Sequence, residues 1–337
     1  MLEFHSDGNR IGITRRDLLW GIAGGVAIGS GIHYLFRRPS FPEAEVFIAK
    51  AADYSLDLRS VIARGLHELG VTSKEVRGKK ILLKPNLVEA SPGHEHINTH
   101  PLVVRGAIEA FLSLGAAKVL VGEGPGHVSD TLMVLEETGL ADILFEDRIP
   151  FIDLNHDNLF SINNRTGFNS LKKLTFPGTM KDVDWIVSLA KMKTHHWAGA
   201  TLSMKNLFGV MPGSVYGWPK NVLHQNGIDR SIIDINATLK PHFAIVDGIT
   251  GMQGDGPIMG DPIQAGVLVI GRNLPAVDAT CCRVMGLDPG RISYLKVAEK
   301  ILGPIQARQI KQRGEAIADV MTQFALKSDI PALKLLI

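Results

Sequence analysis

From Glu45 onward the sequence keeps returning to apolar runs of four or five residues, most of them followed by a segment with helical spacing. Runs this short, bounded by turn residues, suit strands covered on both faces and are too short for core helices. Strands are predicted at Glu45–Ala49, Lys80–Leu83, Lys118–Val121, Phe151–Leu154, Trp185–Leu189, Phe243–Val246 and Val267–Ile270. Helices are predicted at Leu58–Leu69, Pro101–Leu114, Thr131–Thr138, Ile232–Leu239 and Pro275–Met285. Pro101 suits a first helical turn and Gly115 a stop. The alternation predicts an α/β fold, a mostly parallel sheet with helices on both faces. This folded part is expected to occupy residues 41–337. The polar, irregular stretch 156–177 reads as an insertion or as a boundary between two lobes.

Residues 1–40 read as an address. Thr14-Arg15-Arg16-Asp17-Leu18-Leu19-Trp20 leads into a glycine-rich apolar run from Leu18 to Phe36, the pattern of a twin-arginine signal. The run approaches the ~20 residues needed to cross a bilayer. No A-x-A sequence follows it, so an uncleaved N-terminal anchor helix is expected. Arg37 and Arg38 beyond the run weaken the charge asymmetry that Arg10, Arg15 and Arg16 would otherwise give. The twin-arginine translocation machinery is the expected partner. The expected location is the extracytoplasmic face of the cytoplasmic membrane, or the periplasm if the signal is cleaved. An ordinary membrane anchor that happens to carry two arginines is the alternative.

The formal net charge is +2, and no clustered basic face appears in the sequence, so no nucleic-acid partner is expected. The two cysteines, Cys281 and Cys282, are adjacent. They cannot provide a disulfide framework or all the ligands of an iron–sulfur cluster, and they read as two small buried residues of a helix.

In open parallel sheets ligands bind beyond the carboxyl ends of strands. Polar residues collect there in this sequence. Lys84-Pro85-Asn86 follows one predicted strand, and the loop Gly122-Glu123-Gly124-Pro125-Gly126-His127 follows the next. Asp247-Gly248 follows Val246. The densest segment starts after Leu189 and holds Lys191, Lys193, His195, His196, Lys205 and Asn206. Lysine suits an anionic ligand or, when desolvated, proton transfer, and histidine suits acid–base work or a metal. Lys84, Asn86, Gly122, Glu123, Gly124, Lys191, Lys193, Asn206 and Asp247 are therefore candidate cofactor- or ligand-binding residues, and His195, His196 and Lys205 candidate catalytic ones. The glycine loop lacks the dinucleotide fingerprint, leaving a tight turn or anion binding by backbone amides. His94-Glu95-His96 and His100 read as a polar loop, with metal ligation as the alternative. Asp255 and Asp261 lack calcium-loop spacing. Asp278 is expected in the first turn of its helix, where a carboxylate favours the dipole.

Lys84-Pro85-Asn86-Leu87-Val88, the Gly122-Glu123 loop, KTHHWAGATLSMKNLFG, VDGITGMQGDGP and AVDATCCRVMGLDP resemble the family catalogued as domain of unknown function 362. The motifs run in order from about Val46 to Pro289. The resemblance implies an α/β domain often encoded with ferredoxin-type cluster segments, hence an iron–sulfur protein as a partner, but it implies no particular reaction. This chain has no such cysteine-rich segment. More distantly, His195 or His196 with Ala198-Gly199, Lys205, Pro212-Gly213 and His224 is similar to the histidine–lysine–histidine arrangement of nickel-dependent lactate racemase-like proteins. That resemblance implies a divalent transition metal or nickel–organic cofactor, with His195 as a base, Lys205 holding the cofactor and His224 on the metal. His127 or His100 would then supply a second base.

The expected function is that of an exported, membrane-tethered enzyme or cofactor-binding protein acting on a small anionic ligand. Its chemistry would be proton or hydride transfer on a small carboxylate, as in a racemase. The alternatives are a non-catalytic ligand-binding or assembly protein, and a redox accessory of an iron–sulfur partner.

Overall fold

Alternate residues of the short apolar runs go to opposite faces of one sheet, as the twofold period of a strand requires. In β2 (Lys80–Lys84) Ile81 and Leu83 lie in one buried cluster and Leu82 in another. The same sorting holds in β3 (Lys118–Glu123), where Val119 and Val121 face one way and Leu120 the other. Each face therefore needs its own cover, which is why neither face is polar. The computed structural model describes residues 42–127 and 130–336. The expected signal and anchor at residues 1–40 lie outside the described residues.

The chain runs β1 (Ala44–Lys50), α1 (Leu58–Glu68), β2, α2 (Pro101–Ser113), β3, α3 (Thr131–Glu137), α4 (Leu140–Glu146) and β4 (Phe151–Asp153). There follow β5 (Leu159–Asn163), β6 (Lys173–Pro177), β7 (Trp185–His195), β8 (Gly199–Thr201), α5 (Ser203–Asn206), α6 (Asn221–Gln225) and α7 (Ile228–Leu239). The last part is β9 (Phe243–Gln253), β10 (Asp261–Gly271), α8 (Leu274–Val284), α9 (Ser293–Ile301) and β11 (Ile310–Gly314). The main sheet has the order β11-β1-β10-β9-β7-β2-β3-β4, with β8 paired to β7. Its strands are mostly parallel, and β10 and β8 run against the rest. The α/β class with a mostly parallel sheet is thus as the sequence predicts.

One face is covered by α1 and α2, whose Ile62, Leu66, Val104 and Phe111 are buried against it. The other is covered by α7 and α8, through Ile232, Ile235, Val277 and Cys281. Helix starts follow capping rules: Asp57 accepts from the Ser60 amide at α1, and Asn273 from the Ala276 amide at α8. Residues 159–177 form the antiparallel hairpin β5–β6, and Leu174 and Phe176 bury it in the cluster that contains Leu82. Cys281 and Cys282 are free and buried, and burial pushes both thiols up.

Three strands are much longer than their apolar runs. β7 continues from Leu189 to His195, and β9 from Val246 to Gln253, where it pairs with a β10 that begins at Asp261 rather than Val267. The extensions carry lysine, threonine and histidine yet stay buried along β7, because loops 94–100 and 254–260 supply carbonyl partners. The polar segment placed after a strand by sequence is thus the second half of the strand.

Candidate functional site

β2 is followed in the sheet by β3 and β4 on one side, while β7 is followed by β9 and β10 on the other. The strand order therefore switches between β2 and β7, the place where open α/β sheets form a ligand crevice. A cavity of ≈ 460 Å³ lies there, off the ends of β2, β3 and β7. Of the candidate residues, Lys84, Asn86, Glu123, Gly124, His127, Lys193, His195, His196, Lys205, Asn206 and His224 line it. Gly122, Lys191 and Asp247 do not line it, and neither does His100.

Part of the polar set is spent within the protein. Lys84 Nζ lies 2.7 Å from Glu123 Oε2, and each side chain is only 1% exposed. Lys84 also donates to Asn206 Oδ1 at 2.8 Å. Burial pulls the Lys84 ammonium below the ordinary lysine value, against the opposing pull of Glu123. The amides of Leu87 and Gly124 each donate to the Glu123 carboxylate at 2.9 Å. One amide of the glycine loop, that of Gly124, is thus taken up by the loop's own glutamate. Gly209 packs flat against this pair, and a Cβ there would collide with Glu123 Oε1 and Lys84 Nζ. Lys191 is likewise bound to Asp247 Oδ2 and Tyr54 Oη, at 2.8 and 2.9 Å. His100 stacks on Tyr54, its ring 3.7 Å away, and its Nδ1 accepts the Leu102 amide at the start of α2.

Three other cavity lysines have no carboxylate partner among the described residues. Lys193 donates to the carbonyls of Ile97 and Pro257 at 2.9 and 3.1 Å. Lys220 donates to Asn155 Oδ1 and to the Met211 carbonyl. An ammonium has three N–H donors, so each keeps one to offer. Lys205 Nζ sits 4.1 Å from the centre of the Phe208 ring, without a hydrogen-bond partner among the described residues. Burial, then the charge of Lys84, brings Lys205 down to about 7. Burial is also the main cause that lowers Lys220 to about 7, and it holds Lys193 well below the ordinary value. Asn86 Oδ1 and Thr201 Oγ1, both of residues in the wall, are buried without partners among the described residues.

The histidines are fixed in complementary forms. His195 Nδ1 accepts the amides of Trp197 and Ala198 at 3.0 and 3.2 Å, so its proton is on Nε2. Burial, then the Lys205 charge, keeps the imidazole neutral, well below its ordinary pKa. His195 therefore presents an N–H donor. His224 is the reverse: Nδ1 donates to the Lys220 carbonyl at 3.0 Å, leaving the Nε2 lone pair free. Burial and Lys205 lower His224 to about 4. His196 Nδ1 donates to Asp255 Oδ1 at 3.2 Å.

The lysine-bearing turn α5 is held from a distance. Asp278 Oδ1 accepts the Ser203 amide at 2.8 Å and Oδ2 the Met204 amide at 3.1 Å, with Tyr294 Oη also on Oδ2. The first turn of α8 holds no acidic residue, so Asp278 caps α5 instead of its own helix. Burial outweighs these donors and raises Asp278 to about 7. Sequence reading missed Lys220, Thr201, Asn155 and Phe208. Lys220 carries a positive φ of 67°, rare for a residue with a side chain, but a lone lysine in a WPK loop gives no sequence signal.

Comparison with known proteins settles the family. A family model described as Domain of unknown function (DUF362) matches residues 81–283, more than half of the chain. The chain belongs to the DUF362 family. A thylakoid-associated protein of Synechocystis sp. is 29% identical over 234 residues, covering 68% of this chain and 70% of its own. Among solved structures, a Thermotoga maritima protein aligns with a TM-score of 0.40 at 13% identity, over 69% of this chain and 59% of that one. The lactate racemase apoprotein of Thermoanaerobacterium thermosaccharolyticum aligns with a TM-score of 0.40 at 16% identity, over 61% and 50%. This DUF362 chain thus spans about half to three fifths of those two proteins. No cluster of three or more histidine, cysteine, aspartate or glutamate side chains suited to a metal occurs among the described residues.

Proposed function

We propose that the protein binds an organic anion in the β2/β7 cavity and moves a proton on the carbon next to its acid group. The observation that carries this reading is the trio Lys193, Lys205 and Lys220, at the cavity wall with no carboxylate partner among the described residues. Lys193 and Lys220 are buried, and burying a cation costs several kcal/mol unless an anion answers it. Lys205 and the Nε2–H of His195 would hold the oxygen on which charge develops. His224 Nε2 has the free lone pair that accepts the proton, and the electron pair of the broken C–H bond moves onto that oxygen. Burial and then the Lys205 charge depress His224, and a bound anion offsets the second of these and so strengthens the base.

The test is to screen carboxylates and phosphates by thermal shift, then follow solvent deuterium uptake at the α-carbon by NMR. A binder at 100 times its Kd stabilises by about 2.7 kcal/mol. His224→Asn is expected to keep binding while slowing exchange about 100-fold or more. Unchanged exchange in that variant would remove His224 as the base, and the absence of any stabilising anion would end the reading.

A second reading rests on His224 as well. An imidazole with Nδ1–H on a carbonyl and Nε2 free is arranged as a metal ligand. One nitrogen suffices only if the metal arrives with its own organic ligand, and that group would supply an electrophilic centre beside Lys205. Elemental analysis and native mass spectrometry of the full chain from its own host test this. Stoichiometric nickel with an organic adduct supports it, and protein carrying neither sinks it.

We also propose that the protein works at a membrane, exported by the twin-arginine route. The Arg15-Arg16 pair before an apolar run supports this, as does the thylakoid association of the Synechocystis relative. No helix among the described residues is long and apolar enough to cross a bilayer. Lysine at both Arg15 and Arg16 is expected to trap the protein in the cytoplasm. Protease accessibility in spheroplasts reads the result, and undiminished exposure outside would rule the route out.

A further inference from the structure

The cavity is too large for the small carboxylate that its histidines and lysines suggest. At roughly 30 Å³ per non-hydrogen atom, the share of a water in liquid, a three-carbon hydroxy acid fills about 180 Å³. The cavity holds ≈ 460 Å³, which leaves more than half of it empty around such a ligand. The wall is also graded. Its closed end is made by residues with almost no exposure, such as Lys84 at 1%, Lys193 at 0% and Asn206 at 2%. At the open end Trp197 is 58% and Met259 77% exposed, among the large apolar side chains most open to solvent. Phe208 and Ile258 line the space as well. Exposed apolar side chains gathered at the mouth of a pocket with a cationic floor mark a surface built to be covered.

Resting on the reading of the cavity as an anion site, we propose that the ligand is a single-chain amphiphile. Its anionic head would sit among Lys193, Lys205 and Lys220, and its apolar body would run along Phe208, Ile258, Trp197 and Met259 to the mouth. The volume admits a head and about a dozen carbons by the same measure. Size, polarity gradient and charge thus point to one class, acyl or similarly elongated organic acids.

The test is isothermal titration of the full chain in lipid nanodiscs with straight-chain carboxylates from two to sixteen carbons. Each methylene buried is worth about 0.8 kcal/mol, so affinity should rise about fourfold per carbon. The rise should stop near twelve carbons, where the cavity is full. Met259→Ser should weaken decanoate several-fold more than acetate. If acetate and decanoate bind equally, the amphiphile is wrong and the anion site stands. If no carboxylate binds at all, both fail. A rise that continues unbroken to sixteen carbons, identical in Met259→Ser, reports partition into the bilayer and overturns the proposal.

Discussion

Glu123→Ala is expected to lower stability by about 3–5 kcal/mol, the cost of leaving one member of a buried ion pair without the other. Lys84 would keep only Asn206 as a side-chain partner, at 1% exposure, and the amides of Leu87 and Gly124 would lose their acceptor. For a domain of this size the midpoint of thermal unfolding should fall on the order of 10 °C. Burial already pulls Lys84 down, so the orphaned ammonium would shed its proton in preference to staying charged. The prediction separates charge from shape through a second variant. Lys84→Met combined with Glu123→Leu removes both charges at similar volume and should recover the part of the loss due to the orphaned charge, while the amides of Leu87 and Gly124 stay without their acceptor. Gly209→Ala should resemble Glu123→Ala, since the new methyl would occupy the space of the pair. Thermal unfolding of all three against the parent chain checks this. A Glu123→Ala protein within about 1 kcal/mol of the parent would mean that water reaches Lys84.

What sequence can show of this fold follows from which residues feel the core directly. Ile81, Leu82 and Leu83 are buried on both sides of the sheet, so apolar residues in succession mark the strand without help from context. The second half of β7 is different. Its Lys191 and Lys193 are buried only because Asp247 and the Ile97 and Pro257 carbonyls receive them, and these lie far away in sequence. The Lys-x-Lys-x-His alternation did carry the period of a strand. Hydropathy concealed it, because buried lysine and exposed lysine look alike until their partners are known.

The site divides in the same way. Lys84, Glu123, Lys193 and His195 stand out because polar residues at the carboxyl ends of parallel strands converge by geometry alone. Which of them face the cavity was not legible. Glu123 answers Lys84 and Asp247 answers Lys191 across 39 and 56 positions, and both pairings depend on which strands become neighbours. Asp278 shows the limit most clearly. Its spacing suggested service to its own helix, whereas its carboxylate reaches 74 and 75 positions back to cap the turn that carries Lys205.

An organic carboxylate should bind best below pH 7 and weaken steeply above it. Lys205 and Lys220 are both lowered to about 7, chiefly by burial. An anion favours their charged forms, so each pKa rises in the complex and binding draws a proton from solution once the free lysine has lost it. Affinity is then fully present while both lysines are charged and is lost as pH climbs past about 7. For each lysine the loss by pH 9 is about 100-fold, and about 10⁴-fold if the anion touches both. A carboxylate is the right probe because it stays ionised throughout, so its own titration adds nothing. Calorimetry at pH 6, 7, 8 and 9, in two buffers of different ionisation enthalpy, measures affinity and proton uptake together. Uptake should climb from near zero at pH 6 toward two protons at pH 9. Lys205→Met should bind more weakly at pH 6 and lose one of those protons. An affinity flat across this range would mean that the cavity lysines never meet the anion, and the basic floor would then have to be explained by the protein's own carbonyls.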